Sequence, residues 1–304
     1  MHDAYINYID RILKEYSTGP DSSEELDEYE SFEGDMMLTA SQKRELNAAA
    51  LNDGPIERKF IPILSRRSGL RDVTKLWPGG VFRYQLKEGS WKSRDKVRVR
   101  RILKEFEEEI SWAFPPVGKC ISFLETKTGY RVHVIGPEKT ERCSAGVGFL
   151  GHNGNKKFQR MKLGKVCLKK PAKVKHEVMH SLGIWHQQMR SDRKDHVEVL
   201  WNNIPENKWK NFNRYTIKKV NEHGLPYDLM SIMHYSAVAF SKDRPKKKTI
   251  KTYEENGQEV IGNRDILRLN DIELIRKMYN CKPALDMSKS KYKRSEGNEL
   301  NAFF

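Results

Sequence analysis

Hydrophobic and polar residues follow different periods along the chain. Apolar residues recur every three or four positions from 94 to 114, which predicts an amphipathic helix. Residues 130–135 alternate apolar and polar side chains, as a strand with one buried face does. Shorter apolar runs predict four further strands, at 80–86, 120–124, 146–150 and 160–168. A final helix is predicted over 270–279 with Asn270 as its cap, so the pattern predicts both helices and strands.

The first 67 residues have a different character. Residues 4–16 have helical apolar spacing, but residues 21–35 include eight acidic side chains and no Lys or Arg, and we expect that stretch to have no stable structure of its own. Residues 1–67 hold 8 basic and 14 acidic residues (net −6), whereas residues 68–304 hold 48 and 27 (net +21). This boundary coincides with the pair Arg66-Arg67, and a dibasic pair in a linker is a natural protease target.

Composition narrows the function classes. No run of about 18 apolar residues occurs, so we expect no membrane span. The basic charge of the body would attract nucleic acid, anionic glycans or acidic proteins. No nucleic-acid-binding pattern accompanies that charge, so we expect no nucleic acid partner and keep anionic glycans open.

The chain has four cysteines, Cys120, Cys143, Cys167 and Cys281. None forms a CxxC pair, so a structural zinc finger or a thioredoxin-type motif is not expected. If the cysteines are oxidised, three pairings are possible, and spacing alone chooses neither among them nor between disulfides and buried thiols.

Residues 176–186 read HEVMHSLGIWH and predict a metal site. His176 and His180 are four residues apart, so on a helix their imidazoles lie on one face and can bind one ion. Glu177 lies beside the first ligand and can reach a water at the metal. Gly183 can adopt a positive φ, which would end the helix and return His186 as the third ligand. Three protein ligands leave an open position, which is typical of a catalytic zinc site.

The extended pattern HExxHxxGxxH is the metzincin signature, and it is expected together with a later Met-turn. Residues 231–235 read SIMHY, about fifty residues downstream. We expect Met233 to form an apolar floor beneath the metal, a role that suits a flexible thioether.

These motifs resemble the astacin family of zinc endopeptidases, from about Trp77 to Cys281 and most strongly at HEVMHSLGIWHQQMRSDR and YDLMSIMHY. The resemblance implies a zincin-like α+β fold. Its N-terminal lobe would have a twisted mixed sheet and two long helices. Its C-terminal lobe would be irregular and end in a helix, with a cleft for one Zn²⁺ between the lobes.

The resemblance also implies roles for particular residues. Tyr235 would be a further, switchable zinc ligand that stabilises the transition state. Asp35, in the sequence Phe32-Glu33-Gly34-Asp35, would replace the catalytic water on zinc and keep the precursor inactive. The implied disulfides are Cys120–Cys281 and Cys143–Cys167, and the implied activation cleavage is Arg67-Ser68. The expected domains are an inhibitory propeptide (1–67), a catalytic domain (68–283) and a basic disordered tail (284–304).

Two positions depart from the family pattern. Gln187 stands where the family usually has a glutamate that meets the mature N-terminus, so the usual anchoring of that terminus is in doubt. Ser144 stands where an aromatic residue usually follows the cysteine of the substrate-side strand, which would loosen one wall of the cleft.

We therefore expect a secreted zinc endopeptidase made as a zymogen, in which Glu177 acts as general base and then general acid. Expected partners are protein or peptide substrates and an activating trypsin-like or furin-like protease. The N-terminus lacks the apolar core of a signal peptide, and we expect the signal to lie outside this chain. The alternatives are a metal-binding pseudoenzyme that acts through interactions, and an anionic-glycan-binding protein.

Overall fold

The structure is a computed structural model that describes residues 30–32, 34–51, 69–70, 73–112, 117–151, 157–215, 220–221, 223–262 and 265–282. The helix predicted at 4–16, the Arg67-Ser68 bond and the tail 284–304 lie outside these residues. Within the described residues, no helix combines the length and apolar character that crossing a membrane requires.

A seven-stranded mixed sheet forms the N-terminal lobe. Its strands are β1 (Glu30–Phe32), β2 (Met36–Leu38), β5 (Val81–Leu86), β6 (Ser122–Glu125), β7 (Arg131–Ile135), β8 (Cys143–Gly146) and β9 (Phe158–Leu163). They lie in the order β1-β2-β8-β9-β7-β5-β6. β8 is antiparallel to β9, as β1 is to β2, and the other neighbouring pairs are parallel. Two strands therefore come from residues 1–67, which we call the leader, and they extend the sheet formed by residues 68–304.

Within the described residues, the α-helices are α1 (Ala40–Ala49), α2 (Ser93–Trp112), α3 (Lys165–Leu168), α4 (Pro171–Leu182), α5 (Gly257–Val260) and α6 (Leu269–Met278). Helix α2 buries Val99, Ile102, Phe106 and Ile110 on one face, as the sequence period predicts. These side chains join the inner face of the sheet and α4 in one large hydrophobic core.

The C-terminal lobe consists mainly of turns and short elements. Three two-stranded ladders pair β10 (Val197–Val199) with β13 (Ile250–Thr252), β11 (Arg214–Tyr215) with β3 (Ala50–Leu51), and β12 (Val220–Asn221) with β4 (Gly69–Leu70). The 3₁₀ turns of the described residues are Val73–Lys75, Pro78–Gly80, Gln187–Met189, Arg193–Asp195, Trp201–Asn203 and Glu206–Phe212. A smaller aromatic core around Phe212, Tyr227 and Tyr235 holds this lobe together.

Two disulfides join distant parts of the fold. Cys120–Cys281 links the start of the N-terminal lobe's β6 region to the end of α6, and Cys143–Cys167 links β8 to α3. These are the two pairings that the resemblance implies. The first joins cysteines 161 residues apart and fixes the segment after α6 to the N-terminal lobe.

The predicted α+β fold is confirmed, with a mixed sheet, two long helices and an irregular second lobe. Two strand predictions were wrong in their bounds. The strand predicted at 146–150 ends at Gly146, because the chain then turns and the Gly148 N–H donates to the His180 carbonyl (2.9 Å). The strand predicted at 160–168 ends at Leu163, because the chain turns at Gly164, which approaches Glu141 so closely that a Cβ would overlap its backbone.

The final helix also begins differently from the prediction. Arg268 is its N-cap, and its N–H donates to the Asp271 carboxylate (3.2 Å). Asn270 is not the cap, because its side-chain amide donates instead to Asp228 (3.3 Å). The acidic residue in the first helical turn therefore supplies the capping oxygen.

Candidate metal centre

Helix α4 carries the first two histidines of the motif. Pro171 occupies its first turn, where a missing N–H costs nothing, and residues 174–182 are all buried. Gly183 ends the helix with φ 105°, a conformation that L side chains rarely adopt, and its N–H donates to the His180 carbonyl (2.8 Å). The turn redirects the chain so that His186 faces the helix.

The three imidazoles converge as the motif predicts. The ring centroid of His180 lies 4.6 Å from that of His176 and 4.7 Å from that of His186, and the outer two are 5.4 Å apart. All three side chains are almost fully buried. Their grouping in one pocket requires both the helix and the glycine turn.

Two backbone carbonyls orient the rings. His176 Nδ1 donates to the Ile232 carbonyl (2.7 Å) and His180 Nδ1 donates to the Ile184 carbonyl (2.8 Å). A carbonyl oxygen only accepts, so both Nδ1 atoms carry the proton and the Nε2 lone pairs face the centre. Hydrogen bonds of this kind fix the tautomer that binds a metal.

Asp35 brings the fourth donor from the leader. Its carboxylate lies 3.2 Å from His176 Nε2, 3.7 Å from His180 Nε2 and 3.0 Å from His186 Nε2. Burial opposes its ionisation, but the adjacent imidazoles, above all the charge of His186, hold the pKa of Asp35 well below its ordinary value. The pKa of His180 is lowered, chiefly by burial. The pocket therefore favours an ionised carboxylate beside a neutral imidazole, the protonation states in which both bind metal.

The donor set fits a zinc ion. One atom from each of Asp35, His176, His180 and His186 lies within 4.8 Å of the others. His180 Nε2 is buried and makes no hydrogen bond within the described part of the chain. Imidazole lone pairs and a carboxylate oxygen repel one another unless a cation lies among them. Three nitrogens and one oxygen are also a set that tetrahedral zinc accepts.

The Met-turn supports the site from below. The Met233 side chain is buried in the large core, its N–H donates to Ser231 Oγ (3.0 Å), and its carbonyl accepts from the Gln187 N–H (2.9 Å). The turn is therefore bonded directly to the residue that follows the third histidine. Gln187 itself is buried beside this contact.

Asp271 holds the Met-turn from the other side. Ser231 Oγ donates to Asp271 Oδ1 (2.5 Å), and the Ile232 N–H donates to Oδ2 (3.2 Å). Its pKa is raised to about 6, chiefly by burial. Since the Ile232 carbonyl orients His176, the start of α6 is connected to the metal pocket through one residue of the turn. Sequence reasoning missed both this carboxylate and the two carbonyls; only the acid in the first turn of a predicted helix was a signal.

The cleft above the histidines has a volume of about 1020 Å³. Its lining includes Asp35, His176, Glu177 and Tyr235. Glu177 is buried beside the first histidine, and the Tyr235 ring lies 4.8 Å from that of His186. The residues predicted for catalysis thus share one cavity with two of the metal donors, Asp35 and His176.

The leader occupies the edge of the catalytic sheet. β2 runs parallel to β8, with Met36 opposite Ala145 and Met37 opposite Gly146, and the Ala145 N–H donates to the Asp35 carbonyl (2.8 Å). The segment that carries the carboxylate into the pocket is therefore also a strand of the sheet. It covers the side of β8 that faces away from β9.

The fold, with three histidines and one carboxylate meeting in a cleft, is of the zincin type, and comparisons identify the family. The model of the astacin family of peptidases matches residues 69–280. The chain therefore belongs to the astacin family.

Individual proteins agree with this assignment. The chain is 32% identical over 252 residues to zinc metalloproteinase dpy-31 of Haemonchus contortus, covering 82% of this chain and 41% of that protein. It is 32% identical over 251 residues to blastula protease 10 of Paracentrotus lividus, covering 82% and 38%. The chain thus spans about two fifths of the length of these relatives. A solved structure, high choriolytic enzyme 1, a hatching enzyme zinc-protease from the medaka Oryzias latipes, matches with TM-score 0.58 and 25% identity over 69% of this chain and 97% of that one.

Proposed function

We propose that the chain is the zymogen of a secreted zinc endopeptidase and that Asp35 is its latch. The observation that carries this proposal is the meeting of the Asp35 carboxylate with three buried imidazoles in the cleft that Glu177 and Tyr235 also line. Residues 1–67 are the inhibitory propeptide, 68–283 the catalytic domain and 284–304 a basic tail.

His176, His180 and His186 would hold the zinc ion, which when bound supplies Lewis acidity and a water of lowered pKa. Glu177 takes the proton of the attacking water and passes it to the leaving amine. Tyr235 donates a hydrogen bond to the oxyanion that develops on the scissile carbonyl. An extended substrate lies along β8 once β2 has left.

Activation requires cleavage between the two parts. The family match begins at residue 69, which supports a mature start at Ser68. A trypsin-like or furin-like protease would cut after Arg67, and loss of the leader would remove both the carboxylate and β2. The disulfides support secretion, because such bonds persist in oxidising compartments.

A pseudoenzyme is the less favoured reading. It would need no general base, yet Glu177 lies in the cleft beside the metal donors. The neutral Gln187 alters how the mature N-terminus would be anchored, but it does not change the metal donors.

The decisive experiment is cleavage of a peptide library by the full chain after limited trypsin treatment, with zinc and then with a chelator. We expect cleavage that the chelator abolishes and zinc restores, and a new N-terminus at Ser68. Glu177→Ala should lose at least about 10³-fold in rate while one zinc remains bound. Glu259→Ala, which removes another carboxylate of the cleft lining, is the matched control and should stay active. Unchanged turnover in Glu177→Ala would refute the mechanism.

A further inference from the structure

The sheet has a solvent-facing side that the peptidase mechanism does not use. Along β7 and β9 the side chains alternate between buried and partly exposed. The buried set, including Val132, Val134 and Met161, faces the helices and the core. Their neighbours therefore share the opposite face of the sheet.

This opposite face concentrates positive charge. Arg131 from β7 and Arg160 and Lys162 from β9 lie on it, and Lys87 follows the neighbouring strand β5. We name these four residues the basic sheet face. The central strands β5, β7, β8 and β9 contain no Asp or Glu at all. Among the described residues, no carboxylate forms an ion pair with Lys87, Arg160 or Lys162.

Register brings the cations close together. His133 pairs with Arg160 across the β7–β9 ladder, and Ile135 pairs with Lys162. Neighbouring strands are about 4.8 Å apart and alternate residues on one strand about 6.6–6.8 Å apart, so the charges form a dense array. The Arg131 guanidinium is held in place by donating to Gln85 (2.8 Å) and to the Gly129 carbonyl (2.8 Å).

His133 lies in the middle of this face, and its pKa reflects the charges around it. The pKa of His133 is lowered to about 4, chiefly by its partial burial. Three cations lower it further: Arg131, Lys87 and Arg160. The charges of these three residues therefore all act on this one point of the basic sheet face. The His133 ring stacks on Phe158 (3.8 Å between centroids, 11° between planes), which gives the array a flat centre.

We propose that the basic sheet face binds a sulfated polysaccharide. A polyanion with closely spaced charges satisfies several fixed cations at once and releases counterions as it binds. The two disulfides favour an extracellular polyanion over nucleic acid. The face lies on the side of the sheet away from the helices, so a bound glycan would retain the protein without filling the cleft. This inference is independent of the proposed peptidase activity, since binding is measured on the unprocessed chain.

The test measures heparin affinity of the full-length chain over a range of salt concentrations. Arg160→Gln with Lys162→Gln should weaken binding by roughly tenfold or more and flatten the salt dependence. The matched control is Lys246→Gln with Lys247→Gln, an equal charge change in an exposed lysine cluster of the other lobe, and it should change affinity less than about twofold. Unfolding temperatures of the three proteins verify that each is folded.

Other outcomes would overturn the proposal. Equal losses in the two double variants would mean that net charge, and not this face, determines binding. Absence of heparin binding by the wild type would refute it outright. A single-stranded DNA oligonucleotide that binds this face more tightly than heparin at the same salt would replace the proposed occupant.

Discussion

Helix α4, which carries His176 and His180 and which we call the ligand helix, meets the leader at one metal pocket, but the two are held there in different ways. Helix α4 is buried on all sides, ends in a glycine turn and is supported by the Met-turn. The leader segment Gly34–Leu38 reaches the pocket through the Asp35 carboxylate and a three-residue strand along β8. Both regions contribute to the core, but helix α4 is buried along residues 174–182, whereas the leader strand is buried only along Met36–Leu38.

This difference suits a site that must persist while its inhibitor leaves. Removing packed elements of a core is costly, because each buried apolar side chain contributes about 1.5–3 kcal/mol. The leader strand has far fewer buried residues than helix α4, so the strand and the Asp35 carboxylate can be released at lower cost once the chain is cut. The comparison predicts that changes in the leader alter activity, whereas changes around α4 alter metal binding and stability.

Asp35→Ala should have the largest effect. Charge-assisted hydrogen bonds contribute about 1.5–3 kcal/mol each, so losing the carboxylate should raise the activity of the uncleaved precursor by roughly two orders of magnitude. The measurement is peptide hydrolysis by the precursor in the presence of zinc, with N-terminal sequencing to verify that it remains uncut. The control is Glu45→Ala, which removes an exposed carboxylate of the same leader and should leave the precursor silent. A variant as inactive as the wild type would show that Asp35 is not the latch.

Gly183→Ala should act on the other region. Forcing alanine into φ 105° costs about 1–3 kcal/mol, and relaxation of the turn would displace His186 from the two helix ligands. We expect lower stability and a marked loss of bound zinc, measured by urea unfolding and by metal content after dialysis. Gly89→Ala is the control, since Gly89 also has a positive φ (68°), lies far from the metal pocket in sequence, and an added Cβ would meet no atom within 4 Å. It should lose stability without losing zinc; if both variants retain zinc, the glycine turn does not set the third ligand.

The ligand helix could be predicted from sequence because its information is local. The spacing of His176, His180 and Gly183 fixes their relative positions wherever the helix is placed. The amphipathic helix α2 was predicted for the same reason. The α+β fold could be predicted because regular elements such as these depend on local sequence.

The support of the site could not be predicted, because it depends on contacts between distant segments. His176 is oriented by the carbonyl of Ile232, 56 residues away, and every residue has a carbonyl. Asp271 reaches the Met-turn across some forty residues. The strand β8 was predicted a few residues too late, because its end at Gly146 is set by pairing with β2 and β9 and not by the local sequence.

Asp271→Asn should weaken metal binding moderately. The amide would present N–H groups to the Ile232 or Arg268 N–H and would loosen the turn that orients His176. Indirect supports of a metal ligand typically alter affinity 10–100-fold, and we expect the lower end, roughly tenfold, from this more distant contact. Competition with a chromophoric chelator measures it. Glu273→Gln, on the same helix and paired with Arg276 (2.9 Å), is the control and should leave zinc affinity unchanged. Equal affinities in all three proteins would mean that the Met-turn needs no anchor on α6.

The Asp271 carboxylate should also have a smaller effect, on the pH dependence of the free energy of unfolding. The pKa of Asp271 is raised to about 6 in the fold, above the ordinary value of 3.8 that applies when the chain is unfolded. Between these values the folded state binds a proton that the unfolded state does not, so this residue stabilises the fold as pH falls from about 6 towards 4. The gain should be about 1–2 kcal/mol. Urea unfolding at pH 7 and pH 5 should therefore show the wild type gaining stability relative to Asp271→Asn at the lower pH. Because Asp35 and the histidines are the same in both proteins, their titration cancels in this difference, and parallel pH profiles would show that burial does not raise this pKa.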